Sequence, residues 1–379
     1  MISFTFAMAG GIAQATAPQP VTLKAPDGIA LKATYYPAGH PGPGILLLHA
    51  CNRDRSSWAH LAGEAAARGY HVLALDYRGY GESEGQRFQQ FQEQQPIIDG
   101  KWPGDIDAAY AWLTAQPGVD RERIAASGAS CGVNQSVQLA RRHPEVRTVV
   151  LLSGTVTAAG REYLSDASWL PILGAASRDD GDAVAVLRWV LGWSRNSGNK
   201  FVEYQAAGHG TDMFGVEKGL EPIILDWFDT HLRDAATDKP AVAASSEPTA
   251  VETFWKTLTE PGGIARARQL YLDTKRRRPD VVLFPETELN LYGYQLLQGG
   301  RATDAVAVFR LNVEAYPGSA NTYDSLSDGY LALGIPDEAF RYAQKALEVL
   351  ATDTRAPEEL RNAIRASAEK KVKALRRRE

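Results

Sequence analysis

Short apolar runs alternate with longer segments of helical periodicity between residues 21 and 234. Runs that are apolar at nearly every position predict strands covered on both faces, as in a parallel sheet. These runs are Ile45–Leu48, His71–Leu75, Arg123–Ser127, Thr148–Leu152, Pro171–Ala176 and Phe201–Tyr204. The segments of helical periodicity are Ser57–Arg68, Asp105–Ala115, Val133–Arg142, Ala183–Trp193 and Leu220–Leu232. The alternation predicts a doubly wound, mostly parallel α/β sheet, which a hairpin of Val21–Ala25 and Ile29–Tyr36 precedes.

The pattern changes after this region. Residues 235–250 are rich in Ala, Ser and Pro and predict a linker, and residues 251–379 show only helical patterns. A shift of 34 residues aligns Gly300 with Gly334 and Ala305 with Ala339. That period and the small residues at these positions are typical of tetratricopeptide repeats, so the sequence predicts an all-α, tetratricopeptide-like domain.

The resemblance covers two repeats, Glu288–Pro317 and Ser319–Val349. Gly263–Pro279 resembles a partial, degenerate repeat, and Pro357 is expected to open a capping helix. Repeats of this kind bind peptides or mediate assembly through a concave surface. The resemblance therefore implies a protein or peptide partner, or self-association, for this part of the chain.

The amino-acid composition argues against several classes of protein. The 379 residues carry a formal net charge of −4, which argues against a nucleic-acid-binding protein held by phosphate contacts. No stretch reaches the ~20 consecutive apolar residues of a membrane span. Two cysteines are too few for a disulfide scaffold or a Cys-rich zinc site. Neither a metal nor an organic cofactor is expected.

The N-terminal stretch bears on localisation. Residues 1–23 contain no charged side chain, and Ala13-Gln14-Ala15 resembles a signal-peptide cleavage site, although no Lys or Arg precedes it. Residues 1–20 are therefore expected to be a signal peptide or a mobile tail. We expect export to the periplasm or the medium, and a cytoplasmic protein if this stretch is not a signal peptide.

The candidate chemistry centres on Gly128-Ala129-Ser130-Cys131-Gly132. This G-x-S-x-G motif lies between a predicted strand and a predicted helix, which is the context of a nucleophile elbow. His49-Ala50-Cys51-Asn52 ends another apolar run, where a loop supplies an N–H group to an oxyanion hole. Downstream of Ser130 follow Asp180 and then His209, in the chain order of α/β-hydrolase triads.

With these motifs in place, residues 21–234 resemble an α/β-hydrolase, close to the dienelactone hydrolase-like and serine esterase branch. The family's G-x-x-D matches Asp180, with Ser177 in place of Gly, and Asp179 is the alternative acid. The family's Gly-His-Gly matches at His209. Two departures stand out: Ala50 follows His49 where the family has Gly, and Ser130 stands where dienelactone hydrolases carry a Cys nucleophile.

The resemblance implies a serine hydrolase that cleaves small carboxylic esters. Ser130 is the expected nucleophile, His209 the base and Asp180 the acid that orients it. The N–H groups of Cys51 and Cys131 are the expected oxyanion donors. Because both donors must converge on one oxygen, the two cysteine side chains are expected to be neighbours, either disulfide-bonded or merely packed together.

Two points remain open from the sequence. His49, Trp58 and Trp102 are candidate pocket residues, and the stretch Glu84–Pro103 is expected to be a loop, overhanging the pocket or lying on the surface. The reaction is open as well: a serine peptidase or amidase uses the same triad, and a catalytically idle scaffold whose repeats bind a partner is a third alternative.

Overall fold

The computed structural model describes residues 17–87, 91–233, 247–353 and 358–376. Its strands are β1 Gln19–Lys24, β2 Ala30–Tyr36, β3 Gly42–Leu48, β4 His71–Leu75, β5 Val119–Ala129, β6 Val146–Leu152, β7 Ile172–Ser177 and β8 Lys200–Tyr204. They form one sheet in the order β1-β2-β4-β3-β5-β6-β7-β8. β1 and β2 pair antiparallel, as do β2 and β4, whereas β3 pairs parallel with both β4 and β5, and β5 pairs parallel with β6. This mostly parallel sheet has the strand order of the α/β-hydrolase fold.

The α-helices are α1 Ala59–Ala67, α2 Phe91–Gly100, α3 Trp102–Thr114, α4 Cys131–Arg142, α5 Ala158–Asp166, α6 Ala183–Gly192, α7 Met213–Val216, α8 Leu220–Phe228, α9 Ala250–Thr259, α10 Ile264–Arg277, α11 Glu286–Gln298, α12 Ala302–Ala315, α13 Ala320–Ala332, α14 Pro336–Leu350 and α15 Glu358–Arg376. A 3₁₀ turn, Arg55–Trp58, precedes α1, and a π turn, Asp229–Arg233, follows α8. From residue 250 onward the described elements are all helices.

The chain divides into two compact units. The first is taken from Met1–Val156, Trp169–Leu173 and Gly210–Ala241, and the second from Thr157–Ser168, Gly174–His209 and Val242–Glu379. The second unit therefore contains α5, α6 and β8 as well as the helices from α9 onward.

The core of the first unit is the buried set of strands. Every residue of β3 and β4 is buried, because these strands lie inside the sheet and are covered on both faces. Close packing also fixes residue size: a side chain at Gly44 would bring its Cβ within 2.8 Å of Ile124 Cδ1. The apolar runs in β3 to β7 thus mark largely buried strands, as predicted, whereas Phe201–Tyr204 in β8, the last strand of the sheet, is only partly buried.

Four helices of the second unit, α11 to α14, repeat with a fixed offset. Both ends of α13 lie 34 residues after the corresponding ends of α11, and α14 begins 34 residues after α12. The helix pairs are joined at Gly300 and Gly334, which have φ values of 73° and 72°. A left-handed turn residue of this kind is the ordinary position for glycine at a helix end.

The structure differs from the sequence prediction at three places. α2 occupies part of the stretch that was expected to be a loop, and α5 and α7 correspond to no predicted helix. α2 forms although Pro96 lies inside it, and its glutamine-rich sequence lacks the apolar stripe that predicts a helix.

Two sequence predictions lie wholly or largely outside the described residues. The signal peptide or tail falls mostly on residues 1–16, and most of the linker falls on residues 234–246. Among the described residues, no helix combines the length and the apolar character needed to span a membrane.

Candidate active site

Ser130 occupies a sharp turn between β5 and α4. Its φ of 54° and ψ of −117° are unusual for a residue with a side chain, and its N–H donates to the carbonyl of Leu152 at 2.8 Å. A side chain at Gly128 would overlap the carbonyl oxygen of Gly132, and one at Gly132 would overlap that of Leu48. The two glycines are therefore required for the turn to close, and Ser130 is held in a strained conformation that is common at functional sites.

The loop after β3 is tied to this turn by a disulfide bond. Cys51 and Cys131 are bonded through their sulfur atoms, with their Cα atoms 5.8 Å apart. Both residues are half-buried. Of the two alternatives that the sequence left open, the disulfide is the one present. Cys51 lies in a turn that closes with a hydrogen bond from Arg53 N–H to the Ala50 carbonyl at 3.0 Å.

His49 fixes the start of that loop. Its side chain is fully buried, and its Nδ1 donates to the Ala50 carbonyl at 2.7 Å while its Nε2 accepts from the Tyr77 N–H at 3.3 Å. This pattern requires the neutral tautomer with the proton on Nδ1. Burial lowers the pKa of His49, which favours the same neutral form.

Asp180 and His209 form a close pair in the second unit. His209 Nδ1 lies 2.7 Å from Asp180 Oδ2 and 2.9 Å from Oδ1. Asp180 follows β7 and His209 follows β8, so each side chain projects from a loop at the end of a strand. Of the two adjacent aspartates, Asp180 is thus the one whose carboxylate receives the imidazole N–H.

Asp179 has a different set of partners. Its Oδ1 accepts the backbone N–H groups of Ala207 and Gly208, both at 3.2 Å, and a short hydrogen bond from the Ser177 hydroxyl. The Ser177 oxygen also accepts the Ala207 N–H at 2.8 Å. The hydrogen bond from Ser177 lowers the pKa of Asp179, since it stabilises the carboxylate. Asp179 thus fixes the backbone immediately before His209.

The candidate pocket residues are all buried. His49 and Trp58 are 0% exposed and Trp102 is 1% exposed. Trp102 stacks on Tyr77 with ring centroids 3.9 Å apart, and Trp58 packs edge-on against Phe214 at 5.6 Å. These contacts are core packing, and a role for the three residues in substrate binding stays a prediction.

Asp76 is a residue of the site region whose role the sequence did not indicate. It is fully buried after β4 and accepts the N–H groups of Arg55 at 2.7 Å and Glu82 at 2.9 Å. The Arg55 guanidinium also forms an ion pair with it. Asp76 therefore anchors the segment that follows the Cys51 turn. Its signal in the sequence is a carboxylate directly after a wholly apolar strand.

The described residues contain no group of three or more His, Cys, Asp or Glu side chains that is suited to hold a metal ion. They do contain a serine at a strand–helix turn and a hydrogen-bonded Asp–His pair. The first unit holds a half-buried serine in the turn at a helix N-terminus, where the first N–H groups have no partner within the helix. The second unit holds a carboxylate-oriented imidazole.

Comparison with known proteins agrees with this fold. Residues 27–178 match the family model of the X-Pro dipeptidyl-peptidases (S15 family). That match includes Ser130 and ends before Asp180. It covers less than half of the chain, so it indicates a hydrolase-type domain and does not by itself show which reaction the protein catalyses.

Individual relatives cover part of the chain as well. An uncharacterized protein of Mycobacterium tuberculosis is 33% identical over 173 residues, which are 44% of this chain and 57% of that protein. A thiohydrolase of Aspergillus aculeatus is 29% identical over 139 residues, which are 36% of this chain and 42% of that enzyme. The chain thus spans 57% of the length of the first of these relatives and 42% of the second.

Solved structures of similar fold include an esterase of Pyrococcus furiosus, which is 16% identical with a TM-score of 0.46 over 57% of this chain and 91% of the esterase. A dienelactone hydrolase of Anabaena variabilis is 20% identical with a TM-score of 0.46 over 57% of this chain and 99% of that enzyme.

Proposed function

We propose that this protein is a serine hydrolase that cleaves carboxylic esters, with Ser130, His209 and Asp180 as its catalytic residues. The observation that carries the proposal is the hydrogen-bonded pair of Asp180 and His209, which occurs together with a strained serine at a strand–helix turn. The match of residues 27–178 to a hydrolase family supports the same reaction class.

The proposed roles follow from the chemistry of each group. Serine is a weak nucleophile at its free pKa and needs a base to take its proton. Asp180 holds the His209 Nδ1–H, which leaves Nε2 to accept the serine proton and later deliver it to the leaving group. The N–H groups of Cys131 and Cys51 stabilise the tetrahedral oxyanion, and water then hydrolyses the acyl-enzyme. No cofactor enters this mechanism.

A peptidase or amidase is the second candidate, and the S15 family match is the observation that favours it. The same acyl-enzyme chemistry serves amides. Hydrolysis of an X-Pro p-nitroanilide by the wild-type protein, with esters cleaved no faster, favours this second candidate over an esterase. If the protein is a catalytically idle scaffold, neither esters nor the X-Pro p-nitroanilide are hydrolysed.

The decisive experiment is hydrolysis of short-chain p-nitrophenyl esters by the wild type and by Ser130→Ala. We expect the variant to lose essentially all enzyme-dependent turnover, because no other residue in the proposal forms the acyl-enzyme. Labelling with a fluorophosphonate probe, with the adduct located by mass spectrometry, identifies the reactive serine independently of the substrate. Equal rates for both proteins and no adduct on Ser130 contradict the proposal.

We further propose that α11–α14 are two tetratricopeptide repeats and that α15 caps them. The 34-residue offset of the helix ends and the paired left-handed glycines support this interpretation. A peptide or protein partner, or self-association, is then the expected use of these helices. Export is the third proposal, and the half-buried disulfide supports it because disulfides persist in oxidising compartments.

A further inference from the structure

The two proposed oxyanion donors lie on segments that are fixed to different degrees. Cys131 is the first residue of α4, and the preceding Ser130 N–H is hydrogen-bonded to the Leu152 carbonyl. The adjoining Gly132 packs so closely on the end of β3 that no side chain fits there. The Cys131 backbone is therefore held by the sheet and the helix without help from its side chain.

Cys51 lies beyond the point where the sheet ends. The pairing of β3 with β5 runs through Leu48 opposite Gly128 and stops there. Beyond the buried Ala50 the chain turns outward, and Asn52 and Arg53 are exposed. Apart from the turn itself, the described residues anchor this segment through the ion pair of Arg53 with Asp212, the cap of Asp54 on the Ser56 N–H and the hydrogen bond from the Arg55 N–H to Asp76.

One of these anchors is weak. Arg53 pairs with Asp212 at 2.7 Å, but their side chains are 42% and 39% exposed. Exposed ion pairs of this kind typically contribute ~0–1 kcal/mol, since water and salt screen them. The disulfide is thus the strongest link between the Cys51 backbone and the rigid start of α4.

We propose that the Cys51–Cys131 disulfide is a positioning element for the oxyanion hole, which holds the Cys51 N–H at a fixed distance from the Cys131 N–H. The inference rests on the proposed function, because only a reaction with an oxyanion needs both donors. An oxyanion hole acts through donors 2.7–3.1 Å from the oxyanion, so a small displacement of one donor weakens it. Cleaving the bond frees the Cys51 side and leaves Ser130 in place.

The test compares the oxidised and reduced forms of the same folded protein. One molecule of the phosphine TCEP supplies two electrons to the disulfide; water supplies the two protons of the new thiols and the oxygen of the phosphine oxide. Thiol titration reports the state of the bond. Diamide reverses the step, because it takes up the two electrons and two protons as the disulfide re-forms.

We expect reduction to lower kcat for p-nitrophenyl esters by about tenfold or more, with a much smaller change in KM. Outright loss of one oxyanion donor lowers kcat by ~100–1000-fold, and a displaced donor loses part of that. Activity returns on reoxidation. The double variant Cys51→Ser/Cys131→Ser starts at the reduced level of activity and does not respond to TCEP, which excludes an effect of the reductant elsewhere.

A second control separates positioning from general destabilisation. Ile106 is a fully buried residue of α3, outside the segments that carry the two cysteines. Ile106→Ala leaves a cavity in the core, and this cavity is expected to lower the melting temperature. Below its melting temperature it is expected to keep kcat, whereas the reduced protein loses kcat at temperatures where circular dichroism shows it folded.

The inference is overturned if kcat stays unchanged when two thiols per chain become titratable, or if unfolded, unreduced protein already shows two free thiols. A change in melting temperature alone also overturns it. Failure of the proposed function gives a different result. The wild type then shows no fluorophosphonate adduct on Ser130, whether the disulfide is oxidised or reduced.

Discussion

At the scale of single residues, two adjacent aspartates perform different tasks. Asp180 binds the imidazole of His209, whereas Asp179 binds the backbone N–H groups of the two residues before it. The first interaction sets the tautomer of the His209 imidazole, and the second sets the position of the loop that carries His209. The two tasks predict different responses to substitution.

Asp180→Asn is expected to lower kcat by about 10⁴-fold, since an amide in this place favours the wrong imidazole tautomer. Asp179→Ala is expected to lower kcat by up to ~100-fold, because a loop that shifts by about 1 Å misplaces the base. Asp179→Asn keeps an oxygen that can accept both N–H groups and is expected to restore most of the loss. The measurement is kcat for p-nitrophenyl esters over a range of pH.

Asp182→Asn is the matched control, because Asp182 lies in the same turn but bonds Thr287 at 3.2 Å instead of the His209 loop. It is expected to retain kcat. Full activity of Asp179→Ala contradicts the positioning role, and full activity of Asp180→Asn contradicts the proposed triad.

Sequence reasoning selected Ser130, Asp180 and His209 because their types, order and flanking residues are local features, and the structure pairs two of them, Asp180 and His209. It also reached the proximity of Cys51 and Cys131, which followed from the expected oxyanion hole. It missed the roles of Asp179 and Asp76, because both act on backbone N–H groups far along the chain. Such hydrogen bonds depend on how loops approach one another and leave no periodic pattern in the sequence.

At the scale of elements, Glu252 at the start of α9 links three parts of the second unit. Arg195 Nη2 lies 2.6 Å from Glu252 Oε1, and the Ser165 hydroxyl at the end of α5 makes a short hydrogen bond to the same oxygen. Glu252 also completes a capping box with Thr249. One carboxylate therefore anchors α9 to α5 and to the segment after α6.

Glu252→Gln is expected to lower the free energy of unfolding by about 1–3 kcal/mol near neutral pH, since it weakens hydrogen bonds to a largely buried charge. Burial raises the pKa of Glu252, but the hydrogen bonds from Arg195 and Ser165 outweigh it and the pKa is lowered. A carboxylate with a lowered pKa contributes stability above its unfolded-state pKa, about 4.3, and loses it as the pH falls through the folded-state pKa. The difference between the two proteins is therefore expected to shrink below about pH 4.3.

Chemical denaturation of both proteins between pH 7 and pH 3.5 measures this difference. Glu260→Gln is the control, because its ion pair with Arg266 is exposed and is expected to contribute less than about 1 kcal/mol. A constant difference between wild type and Glu252→Gln at every pH contradicts the assignment of the effect to the Glu252 charge.

Strands and helices were predictable where apolar residues recur with a clear periodicity, and they were missed where few apolar residues mark the buried face. Strands β3 to β8 follow apolar runs, β1 and β2 follow a hairpin pattern, and the helices after residue 250 follow 3.6-residue periodicity in the sequence. α5 has only two buried residues, Gly160 and Leu164, and so presents little apolar pattern. α2 is polar and contains Pro96, two features that both favour a loop when only the sequence is considered.

At the scale of the whole molecule, the helices after residue 250 share a compact unit with Asp180 and His209. Trp255 of α9 packs against Trp189 of α6 with ring centroids 5.8 Å apart, and the Thr287 hydroxyl of α11 donates to Asp182, two residues after the proposed acid Asp180. Trp189 is fully buried. Helices α9 and α11 thus pack against α6 and against the turn that carries Asp180.

The last prediction concerns a chain that ends after residue 241. Because α6 then loses the side chains that cover Trp189, we expect this truncated protein to expose apolar surface, to aggregate or melt at lower temperature, and to lose esterase activity.

A chain that ends after residue 353 is the matched control, since it lacks α15 but keeps α9 and α11. That control gives up the buried ion pair of Lys371 with Asp324 and is expected to lose stability in the repeats while it keeps ester hydrolysis. Melting curves, light scattering and the rate of fluorophosphonate labelling on both chains measure the difference. A soluble and fully active protein that ends at residue 241 shows instead that the helices are a detachable module, and their contacts with the acid loop then have no catalytic consequence.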